Sequence, residues 1–116
     1  MKDMYGILKD KKVIPVPEMN IWPSPDDRTV GRDILGEVTV STVFLVINHN
    51  FGFSTPQWFE TMIFGGRFDG EQSRYETYEQ AEAGHKRWCK IVKFHNLWFM
   101  RLWDWIKNVR ITSTQL

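Results

Sequence analysis

The stretch Glu37 to His49, EVTVSTVFLVINH, constrains this chain more than any other. Val, Ile, Thr and Phe suit a pleated, half-buried surface, and here they crowd together with no helical spacing. A period of two sets Val38, Val40, Thr42, Phe44, Val46 and Asn48 on one face and Thr39, Ser41, Val43, Leu45, Ile47 and His49 on the other. From residue 42 to 47 only Thr42 is polar, so this half is expected to be central and covered on both faces. Gln57 to Gly65, QWFETMIFG, reads as the returning strand after a loop from Asn50 to Pro56. A symmetric hairpin sets Asn48 opposite Trp58, Val46 opposite Glu60 and Phe44 opposite Met62.

The flanks add smaller elements. Tyr5–Leu8 and Lys12–Val16 read as a hairpin around a polar turn, within residues 1–16. Pro15 and Pro17 place its second strand at an edge, because proline cannot donate to a ladder. Residues 17–27 hold Pro17, Pro23 and Pro25 and read as an irregular loop, pinned by Ile21 and Trp22. Residues 28–35 add another candidate strand, so the core strands span 28–66. Gly65-Gly66 ends the last of these, and Asp69-Gly70 turns the chain.

Helix is expected over 77–110. Thr77-Tyr78-Glu79-Gln80 fits a capping box, and Tyr78, Ala81, His85, Trp88 and Val92 share one face. Gly84 inside that helix costs about 1 kcal/mol relative to Ala unless close packing requires it. Neither Pro nor Gly follows Gly84, so the segment either runs on as one helix or breaks near His95-Asn96. Trp98, Leu102, Trp105 and Val109 form one apolar stripe there, and Phe99, Trp103 and Ile106 form a second beside it. Two adjacent stripes need cover. Three readings are open for Trp98, Phe99, Trp103 and Trp105: packing on their own domain or a twin subunit, docking on another protein, or lying on a membrane surface.

The 116 residues, 42% hydrophobic and 25% charged, support one domain over 1–116 of α+β class. The expected form is a meander of four or five antiparallel strands with one long C-terminal helix packed on one face. The charge is uneven. Residues 1–85 carry 8 Lys/Arg against 13 Asp/Glu, and residues 86–116 carry 7 against Asp104 alone. The basic end can meet acidic surfaces within or between chains, and equally reads as a solvated helix face. No apolar run approaches a membrane span, the N-terminus lacks the apolar stretch of a signal peptide, and one cysteine excludes a disulfide framework. Together these predict a cytoplasmic protein.

Chemistry-bearing groups are few. Glu60 among Trp58, Phe59, Met62 and Ile63 is either an acid–base group with a raised pKa or the partner of an arginine such as Arg32 or Arg74. His49, Glu60, His85 and His95 show no metal-ligand spacing, so no metal and no cofactor is expected from them. His85 reads as a hydrogen-bonded core histidine and Cys89 as a small buried apolar residue, with a His85–Cys89 dyad lacking any activating signature. Gly65-Gly66-Arg67 can cradle a phosphate through backbone N–H groups, and equally reads as a plain turn.

The segments VSTVFLVINHNFG, PQWFETMIFGG and RYETYEQAEAGH, covering about half the chain, resemble a family of small phage and prophage proteins. The matching residues are Ser41, Thr42, Asn48, His49, Phe59, Glu60, Thr61, Gly65, Gly66, Arg74, Tyr75, Gly84 and His85. The resemblance implies a phage accessory protein in the host cytoplasm and carries no activity with it. Without a catalytic signature, the expected function is non-catalytic binding, plausibly anti-defence: engaging a host protein or sequestering a small nucleotide-like ligand. Arg67, Arg74, Tyr75, Glu60 and His49 are the candidate contacts for such a ligand. The alternatives are a structural protein oligomerising through its Trp-rich helix, and a small hydrolase using Glu60. Nucleic acid and membrane are disfavoured as partners.

Overall fold

The computed structural model describes residues 4–50 and 55–115, with side chains through Lys107. Among the described residues are six strands and two helices: β1 (Tyr5–Lys9), β2 (Lys12–Val16), α1 (Pro25–Arg28), β3 (Thr29–Leu35), β4 (Val38–Phe44), β5 (Phe59–Phe64), β6 (Gln72–Tyr75) and α2 (Tyr78–Gln115). The class is α+β. A four-stranded antiparallel meander ordered β3-β4-β5-β6 carries α2 on one face, and β1-β2 forms a separate two-stranded sheet.

Each element follows from local chemistry. Asp10 and Lys11 turn the first hairpin with φ of 51° and 64°, the paired positive angles of a tight two-residue hairpin turn. Ser24 caps the short α1, its Oγ accepting from the Asp27 N–H at 3.1 Å, and Pro25 sits in the first turn, where no N–H is needed. At α2 both halves of the capping box close: the Gln80 N–H donates to Thr77 Oγ1 at 3.1 Å, and Gln80 Oε1 accepts from the Thr77 N–H at 3.3 Å.

The long run departs from expectation at its end. Strand β4 stops at Phe44, because Val46 adopts φ 71°, which breaks the pleat. Ile47 then bridges Tyr5, joining the run to the first hairpin. Asn48 is buried, and its Oδ1 accepts from the Asn50 and Gln57 N–H groups at 2.9 Å each, holding the two ends of the loop together. Residues 51–54 of that loop lie outside the described residues. The register differs accordingly: Val43 faces Glu60, Phe44 faces Phe59 and Ser41 faces Met62. That is a slip of three residues from a symmetric hairpin, and an odd slip moves Glu60 to the other face.

Coverage is one-sided. Val38, Val40, Thr42 and Phe44 are buried under α2 and the first hairpin, while Thr39, Ser41 and Val43 are only half-buried. The core has two parts: Phe44, Val46, Trp58, Phe59, Tyr75 and Ala81 pack together, and Val38, Val40, Ile63, Cys89 and Val92 pack beside them. Helix α2 is continuous, with no break near His95-Asn96. At about 1.5 Å rise per residue its 38 residues span about 57 Å, so only its first half lies over the sheet and the molecule is 74 Å long.

Candidate functional site

Under α2 a row of small polar positions crosses the sheet. Gly31 of β3 faces Thr42 of β4, Thr42 faces Thr61 of β5, and Thr61 faces Ser73 of β6. The helix lays Gly84, His85 and Trp88 into this trough. His85 Nδ1 lies 2.7 Å from Thr42 Oγ1, Thr42 Oγ1 lies 2.6 Å from Thr61 Oγ1, and the Tyr75 hydroxyl donates to Thr61 Oγ1 at 3.1 Å. On the other side His85 Nε2 meets Asp33 Oδ1 at 2.8 Å. Trp88 donates its indole N–H to Ser73 Oγ at 3.0 Å.

Hydrogen accounting gives the row a direction. Tyr75 donates to Thr61, Thr61 to Thr42, and Thr42 to His85 Nδ1, leaving Nε2–H to donate to the Asp33 carboxylate. Every hydroxyl then gives one hydrogen and receives one or none, so no buried group of this row is left unpaired. Glycines make the room: a Cβ on Gly31 would stand 2.9 Å from the His85 ring, and one on Gly84 would overlap the Tyr75 hydroxyl and ring.

Carboxylate, imidazole and hydroxyl in series is the order of a hydrolytic triad. Here the order carries no such chemistry, because Thr42 and Thr61 are 0% exposed and both ring nitrogens are already paired. A nucleophile needs a substrate path, and this hydroxyl has none. Cys89, one turn after His85, is buried beside the same cluster. Burial first, then the Asp33 carboxylate, push its thiol pKa up, with Lys93 opposing them, which disfavours the free thiolate nucleophile.

The residues singled out from sequence are spread apart. Glu60 and Arg74 meet on the open face, Nε to Oε2 at 3.0 Å, which is the arginine pairing weighed above. Tyr75, the next residue in β6, points to the other face and into the buried row. Arg67 lines a groove with Phe68, Ile91, Phe94 and Trp98, and His49 is exposed beyond the Asn48 bridge. Sequence reasoning placed His85 and Cys89 correctly as buried but missed Asp33, Thr61 and Gly31. The signal was the cross-sheet row, which is invisible until the register is known.

The Glu60–Arg74 pair is partly solvated, with side chains 14% and 32% exposed. Glu60→Gln should therefore cost less than about 1 kcal/mol in urea denaturation. A loss of several kcal/mol would show that Glu60 does more than pair. Comparison with protein-family models, curated proteins and solved structures finds no match.

Proposed function

We propose that this protein acts by contact rather than turnover, as an assembly protein that joins a second copy of itself through the distal half of α2. The observation that supports this is the bare helix. Beyond the sheet, Trp98, Phe99, Trp103 and Trp105 are 52%, 55%, 51% and 62% exposed, with Phe94, Leu97 and Met100 exposed among them. Soluble monomers rarely leave so much contiguous apolar surface uncovered. Among the described residues no helix is long and apolar enough to cross a membrane.

The pattern on this helix favours a second copy. The line that seats on the sheet, Ala81, His85, Trp88 and Val92, continues past its edge as Asn96, Phe99, Trp103 and Ile106. Ile91, His95, Trp98, Leu102 and Trp105 run beside it, and both lines alternate steps of three and four, the spacing of helix-to-helix seams. An antiparallel pair centred between Leu102 and Trp103 sets Phe99 against Ile106 and Leu102 against Trp103 of the partner copy.

Light scattering behind size exclusion tests the reading. The wild type should have at least twice the mass of one chain, and Phe99→Glu with Trp103→Glu should reduce it to one chain with unchanged circular dichroism. A wild type that stays monomeric at all concentrations removes the proposal. In that case a captured host protein, or a thermal shift with nucleotides, would support the other binding readings.

A further inference from the structure

We propose that Asp33, His85 and Cys89 form a binding site for one zinc-class divalent ion at the junction of β3 and α2. Their ligand atoms all lie within 4.8 Å of one another. They supply a carboxylate oxygen, an imidazole nitrogen and a sulfur, the donor set that zinc accepts with tetrahedral geometry. His85 and Cys89 are four residues apart, one above the other on one helix face, which aims two ligands the same way without loop ordering.

The outer contacts also fit. A metal-bound histidine needs its second nitrogen fixed by a hydrogen-bond partner, and Thr42 Oγ1 stands 2.7 Å from His85 Nδ1. Binding through Nε2 requires the hydrogen to move to Nδ1, which then donates to Thr42. Thr42 in turn gives its hydrogen to Thr61, which then accepts from both Thr42 and Tyr75 and turns its own hydrogen out of the row, with no heavy atom moved. The thiol loses its proton to solvent on binding. Gly31 leaves the Nε2 edge of the ring free of a neighbouring side chain, since any Cβ there would stand 2.9 Å from Nε2.

The adjustment between nitrogen and oxygen is small. Tetrahedral bond lengths of about 2.0 Å to nitrogen and oxygen put those ligands about 3.3 Å apart. The present separation of His85 Nε2 and Asp33 Oδ1 is 2.8 Å, so the carboxylate must withdraw by about 0.5 Å. Its side chain is 46% exposed and free to do so. The same exposure provides the entry path and leaves a fourth position for water. Three protein ligands and one open position distinguish this arrangement from a closed structural zinc site.

Cobalt(II) titration of the full chain is the test. The wild type should bind one ion per chain, with a thiolate-to-cobalt charge-transfer band and the intense visible bands of four-coordination. Cys89→Ser should abolish the charge-transfer band. Asp33→Asn, which keeps an oxygen acceptor for Nε2–H and so preserves the fold, should weaken binding at least 10-fold, and zinc should displace the cobalt. Absence of the band in the wild type overturns the proposal. So does a band that survives with unchanged affinity in Asp33→Asn, because the ion would then lie elsewhere. Should Cys89→Ser fail to fold, the Asp33→Asn affinity decides alone.

Discussion

Gly84→Ala destabilises the fold by about 2 kcal/mol, the reverse of its effect in a solvent-facing helix. In an exposed helix interior the change gains about 1 kcal/mol, because glycine forfeits more backbone entropy. Here Gly84 is buried in α2, and an added Cβ would overlap the Oη, Cζ and Cε1 atoms of Tyr75. Tyr75 cannot swing aside freely: it is buried, and its hydroxyl donates to Thr61. Overpacking of this kind costs roughly 1–3 kcal/mol, and losing the Tyr75–Thr61 bond adds about 1 kcal/mol more. These terms exceed the propensity gain. Urea denaturation measures the difference, and a stabilised variant would show that the helix sits further from the sheet than described.

Thr42→Val is the second large effect, at about 3 kcal/mol. The shape is conserved, but the hydroxyl at the centre of the row disappears. His85 Nδ1 loses its donor and Thr61 loses its acceptor, both where water cannot replace them. Each orphaned buried group costs about 1–3 kcal/mol. Thr42→Ser keeps the hydroxyl and deletes one methyl, at about 1 kcal/mol. Valine should therefore be worse than serine at this position, which distinguishes a hydrogen-bonded row from an apolar strand position. Equal losses for the two variants, or a milder loss for valine, would mean that the hydroxyl contributes only volume.

Most elements were legible because each carries a local signal, but α1 and β6, four residues each, were not read. The β-branched run announced β4, Thr77 and Gln80 announced the start of α2, and the prolines announced the irregular stretch before α1, though Pro25 itself opens that helix rather than extending the loop. The register was not legible. It depends on Val46 taking a left-handed angle and on Asn48 gathering the loop, and neither is encoded in a spacing. That slip moved Glu60 to the open face beside Arg74 and set Thr42 opposite Thr61. The buried row was hidden for the same reason. Threonine suits either face of a strand, so only the pairing reveals that Gly31, Thr42, Thr61 and Ser73 align. The stripes of the distal helix were legible as stripes, but that α2 carries them past the edge of the sheet is a property of its length and angle.

Hydrogen exchange followed against protein concentration tests directly whether a second copy covers that helix. A bare, solvated half-helix opens locally and exchanges fast, whereas one buried in a helix pair does not. Amides 97–107 should become more protected as concentration rises, while those of β4 and β5 stay unchanged. Exchange across 97–107 that is equally fast at every concentration would contradict assembly through α2.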